Sequence, residues 1–195
     1  AQAKNFNDMK QIIIPFGQFL FCFLNLFPLT QAAGQGFELV FEKGNAAPNV
    51  IGLGYDIIET NDNNLLVLTA ELGTDGQILK KLDPDGNLIW QQQVSPNASM
   101  LAVALVELTT GNIVVAGDLP VPGQPNLRQF YWQLRAANGA FIEEHIYHDG
   151  VSNFACSGAV LSPNGHIVLA GFKGLGSTTS AFTVLDVTSS GAIGW

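Results

Sequence analysis

Beyond residue 50 the apolar positions come in short runs rather than at helical spacing. Residues 55–70, 104–117 and 158–171 have one pattern in common. Each is an apolar stretch, a polar turn and a second apolar stretch ending in small residues. Such runs broken by Asn, Asp and Gly predict a β-hairpin, with Gly or Asn taking the positive φ of a tight turn. A second predicted hairpin follows each one, at residues 78–90, 130–142 and 182–195.

The hairpins recur at a regular distance. The turn glycines Gly86, Gly139 and Gly191 lie 53 and 52 residues apart, and the turn positions Asn64, Asn112 and His166 lie 48 and 54 apart. A period near fifty with two hairpins per unit is that of a four-stranded propeller blade. The expected fold class is all-β, built of β-propeller-type repeats: two complete blades and part of a third. The repeat stops at Trp195, the counterpart of Trp90, so the chain is expected to be part of a longer protein whose remaining blades complete the ring. A β-sandwich with similar hairpins is the competing architecture.

The first fifty residues read differently. Lys10 precedes an almost wholly apolar run from Ile12 to Leu29, and small residues follow at Ala32, Ala33 and Gly34. A positive start, an apolar middle and a small-residue exit predict a secretory signal peptide. Cleavage fits after Ala32 or after Gly34. Pro15, Gly17, Gln18, Asn25 and Pro28 weaken the run as a permanent membrane span. The expected division is an upstream extension at 1–8, a signal peptide at 9–34 and a linker or first strand at 35–51. Repeats then follow at 52–99, 100–153 and 154–195. The expected location is outside the cell or on its surface, with the periplasm as the alternative and membrane contact only during export.

Composition narrows the function classes. Charged residues make up only 12% of the chain, and the net charge is −8. Without residues 1–34, 6 basic and 15 acidic residues remain. Phosphate binding draws on clustered Lys and Arg, so nucleic acid is not an expected partner. Beyond the signal only Cys156 remains, inside an apolar run, which predicts a buried structural thiol and no internal disulfide.

Several groups invite a chemical reading. Asp83, Asp85 and Asn87 offer oxygen ligands at alternate positions, as at the start of a calcium loop. Asp-Pro-Asp-Gly also makes a good hairpin turn, and Val94 stands where such a loop needs a bidentate Glu. Calcium is the only cofactor these residues suggest. His145 and His148, if extended, point to opposite faces and do not converge. His166 sits at a turn position. Trp90, Trp132 and Trp195 each fall in the second hairpin of a repeat, which predicts contacts between blades. The segment 119–127, rich in proline, is expected to be a long loop, and Pro120, Pro122, Gln124 and Asn126 are its ligand-contacting candidates. The nucleophile elbow, the zinc-protease helix motif and the P-loop are all missing.

One stretch resembles known repeats. Lys81, Leu82, Asp83, Gly86, Asn87 and Trp90, then Ala116-Gly117 and Ala170-Gly171, are similar to the repeats of large secreted proteins of gliding bacteria. Those proteins are type IX secretion substrates, commonly β-propellers exported by a signal peptide. The spacing from Gly86 to Trp90 and from Gly191 to Trp195 also resembles the docking motif of quinoprotein propellers. The second repeat departs from it, with Glu143 in the Trp position. The export signal, the propeller repeats and the absence of catalytic motifs lead to the expectation of an exported binding or adhesion module without its own catalysis, facing an extracellular carbohydrate or protein. The alternatives are the propeller part of a secreted quinoprotein or hydrolase, or a periplasmic assembly scaffold.

Overall fold

The computed structural model describes residues 52–71, 76–94, 100–174 and 179–194. All of them belong to one unit, Leu39–Trp195. The expected signal peptide, the linker at 35–51 and Trp195 lie outside the described residues. Among the described residues no helix is long and apolar enough to cross a membrane.

Among the described residues eleven strands form three antiparallel sheets. The first sheet runs β1 (Gly52–Glu59), β2 (Leu65–Glu71), β3 (Gln77–Leu82) and β4 (Leu88–Gln93). The second runs β5 (Leu101–Glu107), β6 (Ile113–Val121), β7 (Gln124–Arg135) and β8 (Phe141–Tyr147). The third runs β9 (Asn153–Leu161), β10 (Ile167–Gly174) and β11 (Ser180–Val187). Neighbours in each sheet are neighbours in sequence. Only tight connections are needed, as the short polar gaps between apolar runs require. A bridge from Val187 to Ile193 follows β11.

Six turns have the same backbone bonds. The N–H of the first residue donates to the carbonyl four residues on, and the N–H three residues on donates back to the first carbonyl. The first residues are Thr60, Asp83, Leu108, Ala136, Ser162 and Thr188. The fourth residue has positive φ every time: Asn63, Gly86, Gly111, Gly139, Gly165 and Gly191. This is a type I turn closed by a left-handed residue, the usual three-residue hairpin connection. It explains why the repeat period was readable from glycines.

The second sheet lies between the other two. Leu66, Leu68 and Leu79 of the first sheet meet Leu105, Ile113, Val115 and Tyr131 of the second. On the opposite face Val114, Ala116, Phe130 and Trp132 meet Phe154, Ile167, Leu169 and Val187 of the third. With both faces covered, β6 is buried from Ile113 through Asp118, which is why its sequence is continuously apolar rather than alternating. Each fully buried Leu, Val or Phe contributes about 1.5–3 kcal/mol.

The first strand of every sheet carries an irregularity at the same place. Pairing skips between Gly54 and Asp56, between Ala102 and Ala104, and between Cys156 and Gly158. A bulge of this kind bends the strand and raises its twist. Polar clamps cross between sheets nearby. Asp56 Oδ2 accepts the Leu105 N–H at 2.7 Å. The Gln77 amide both donates to and accepts from the Ala102 backbone, at 2.7 and 2.5 Å.

The segment 119–127 is not a loop. β6 runs on to Val121, β7 begins at Gln124, and Pro122-Gly123 make the tip. Pro120 lies within β6 and pairs with Arg128, and the register shifts directly after it. Proline cannot donate to a ladder, yet it is tolerated at such an irregularity and at exposed strand ends. The proline-based expectation of an open loop fails for that reason.

Candidate functional site

The topology separates two kinds of end. All six identical turns lie at one end of the three sheets. The opposite end carries the connections between β2 and β3, β6 and β7, and β10 and β11, and the links from sheet to sheet. Strands β6 and β7, at 9 and 12 residues, overrun their neighbours there. Invariant turns suit a scaffold, while variable connections on a rigid base suit recognition.

A charged and aromatic cluster sits at the base of this projecting hairpin. Asp118, in β6, is buried. It forms an ion pair with the Arg128 guanidinium. Its second oxygen accepts the Cys156 N–H at 2.9 Å. Arg128 also donates to the Asp118 carbonyl at 3.0 Å, and its backbone N–H donates to Asn153 Oδ1 at 2.7 Å. The hairpin is thereby tied to the first strand of the third sheet.

Phe154 is the hub of the aromatic part. Its ring meets those of Phe130 at 5.3 Å, Tyr147 at 5.6 Å and His148 at 6.0 Å. The Lys173 ammonium lies 5.8 Å above it, a cation–π contact. Lys173 also pairs with Asp149 at 2.8 Å. Asp149 closes the 148–152 connection by accepting the N–H groups of Val151 and Ser152 and the Ser152 hydroxyl. Burial alone would raise the Asp149 carboxyl, but the bonds from Lys173 and Ser152 hold it well below the usual carboxylate range. The same partner raises the Lys173 ammonium. Both cations keep about a third of their side chains open to solvent. Gln124 and Asn126, further out on the same hairpin, are exposed.

The remaining sequence candidates fall elsewhere. Asp83 serves its own turn: Oδ1 accepts the N–H groups of Asp85 and Asn87, and Oδ2 accepts the Asn87 amide at 2.9 Å. The Asn87 bonds, the side-chain amide foremost, lower its carboxyl. Among the described residues no three His, Cys, Asp or Glu side chains converge as metal ligands do. His145 stacks on Trp132 at 5.4 Å, whereas His148 bonds the Ser152 carbonyl and faces Phe154. His166 is more than a turn residue, because its Nδ1 pairs with the buried Asp186 at 2.6 Å. Trp132 is buried between sheets and Trp90 is half-buried against the Gly139 turn. Cys156 is buried, and burial pushes its thiol up to about 11.

Arg128, Lys173 and Asp118 escaped the sequence reading. The available signal was their rarity: a carboxylate inside the apolar run of β6, and two of the 6 cations beyond residue 34, both on strands.

No family model matches the chain, and no curated protein does. Solved structures do. A protein of unknown function from Bacteroides caccae matches with a TM-score of 0.48 and 14% identity, over 80% of this chain and 47% of that one. A GH43 β-1,3-galactosidase solved with galactodeoxynojirimycin matches with a TM-score of 0.49 and 10% identity, over 74% of this chain and 45% of that one. The chain spans about half the length of these two structures.

Proposed function

We propose that the three sheets are successive blades of an exported β-propeller. We also propose that the chain is a non-catalytic binding module, secreted or held at the cell surface. Its ligand is an extracellular carbohydrate or protein, taken at the end that carries the projecting β6–β7 hairpin. The observation that carries this reading is the contrast between the two ends. Six turns with one hydrogen-bonding pattern close one end; at the other the Arg128–Asp118 pair anchors the overlong β6–β7 hairpin, and the Lys173–Asp149 pair ties β10 to the 148–152 connection. Hydroxyl-rich or peptide ligands are held by such fixed polar donors. Export rests on the signal-like run 12–29.

The test is a binding screen of the chain on immobilised glycans and extracellular proteins, repeated with residues 120–125 deleted. The reading expects at least one ligand and its loss on deletion. A ligand retained at full affinity would place the site elsewhere.

A further inference from the structure

Several sheet edges are capped by side chains. Strand β5 is one edge of the second sheet. There the Gln77 amide bonds both the N–H and the carbonyl of Ala102, and Asp56 accepts the Leu105 N–H. Strand β9 is an edge of the third sheet, and Asp118 accepts the Cys156 N–H. At the end of β4, Arg135 donates to the carbonyls of Gln93 and Val94, and Gln133 donates to that of Val94 as well. Strand β8 is different. It is the other edge of the second sheet, and among the described residues its backbone is bonded only to β7. Such an edge offers alternate N–H and C=O groups to an extended backbone laid beside it.

The β8 side chains say what kind of backbone fits. Phe141, Ile142 and Ile146 are 53%, 46% and 58% exposed, although a sheet stands on either side of this one. Pairing sets Phe141, Glu144 and Ile146 opposite Arg135, Gln133 and Tyr131, so they share the face toward the first sheet. Glu143 lies on the other face with His145 and Tyr147. The strand has neither Lys nor Pro, two common devices that keep a partner off an edge. Its two carboxylates reach solvent: the Glu143 side chain is 43% exposed, and Glu144 is exposed while it accepts the Tyr131 hydroxyl. Two copies of β8 side by side would bring carboxylates together, which disfavours a second copy of this chain. Lysine or arginine on the incoming strand would pair with them.

We propose that β8 takes an extended basic segment of another protein as a fifth strand of the second sheet. The added strand bonds backbone to backbone, sets apolar side chains against Phe141 and Ile146, and places cations against Glu143 and Glu144. In strand addition the main-chain bonds give affinity and the alternate side chains give selectivity. The acidity of the whole chain, with a net charge of −8, draws a basic segment toward it. The site does not involve the β6–β7 tip, so it stands or falls separately from the binding reading above.

The probe is an end-blocked peptide as long as β8, 7 residues, of sequence Thr-Val-Thr-Lys-Lys-Thr-Val. Amide hydrogen exchange of the full chain is followed by NMR with this peptide and with its Glu-Glu counterpart. Two further copies, N-methylated at the odd or at the even residues, each lose the donors of one peptide edge. The proposal expects the Lys-Lys peptide to slow the β8 amides directed away from β7 about tenfold. High salt should weaken the effect, and the Glu-Glu peptide should have none. One methylated copy should bind and the other should not. Glu143→Gln/Glu144→Gln keeps an acceptor for the Tyr131 hydroxyl and should weaken the peptide several-fold. No slowing at β8, slowing confined to other strands, or equal behaviour of the Lys-Lys and Glu-Glu peptides or of the two methylated copies overturns the proposal.

Discussion

The turn glycine Gly139 of the second sheet lies against the indole of Trp90 in the first: a methyl group on its Cα would come within 2.7 Å of the Trp90 ring. The relationship repeats one interface further on. The turn at Gly191 of the third sheet meets the imidazole of His145 in the second, where a Cβ would overlap the ring. The outer strand of each sheet thus receives the second turn of the next. That contact couples the local turn signal to the stacking of sheets.

Gly139→Ala should therefore fail twice. Its φ of +82° is left-handed, which costs an alanine about 1–2 kcal/mol. The added methyl then overpacks the Trp90 contact, for a further ~1–3 kcal/mol. Urea unfolding should show the combined loss. A Trp90→Leu change should recover part of it in the Gly139→Ala background, so the two effects should not add. Full additivity would mean that the two residues do not meet.

Asp118→Ala removes a buried carboxylate from both Arg128 and the Cys156 N–H. Breaking one side of a buried pair costs about 3 kcal/mol or more. Asp118→Asn retains an acceptor for the N–H and should lose less. Equal losses in urea unfolding would show that the Cys156 bond contributes nothing.

Acid should weaken the fold through two carboxylates. Bonds from Lys81 and Thr60 hold Asp62 well below the usual range. Lys173 and Ser152 do the same for Asp149 against the pull of burial. Both groups are easier to protonate in the unfolded chain. Their contribution is complete above the ordinary carboxyl pKa of about 4 and is lost as the pH falls below it. Asp149→Asn should flatten the decline of Tm between pH 5 and 2. Asp62→Asn should do so less, because the Asp62 carboxylate is 55% exposed and its pairing is screened by solvent. An unchanged acid limb in both variants would contradict the ion pairs.

Cys156 should be silent in the native chain. It is buried and its thiol is raised to about 11. A thiol reagent at pH 8 should modify it no faster than the chain unfolds, and quickly in denaturant. Rapid native labelling would contradict its position between the sheets.

Much of this architecture is legible in the chain because its turns are chemically obligatory. A left-handed turn residue must be Gly or Asn, so Gly86, Gly139 and Gly191 mark three equivalent places even where the strands between them have diverged. The cysteine could also be placed, since Cys156 stands in an apolar run without an activating partner. The candidate site was harder to see. Pro120, Pro122 and Pro125 look like loop residues, yet the hairpin tolerates them where its register slips and at its exposed edge. Arg128 and Asp118 meet by β6–β7 pairing and Lys173 is set beside Phe154 by β9–β10 pairing, and only sheet stacking brings these two groups to one place. The chain order shows His166 only as a turn residue, whereas its partner Asp186 is set by β10–β11 pairing.

The central claim is that the hairpin end recognises a ligand and the tight-turn end does not. The direct measurement is quantitative binding to the best ligand from the glycan and protein screen, with Arg128→Ala/Lys173→Ala compared against Asn138→Ala/Asn164→Ala at the opposite end. The account predicts at least a tenfold loss of affinity for the first pair and none for the second. Loss confined to the second pair, or no ligand at all, would contradict it.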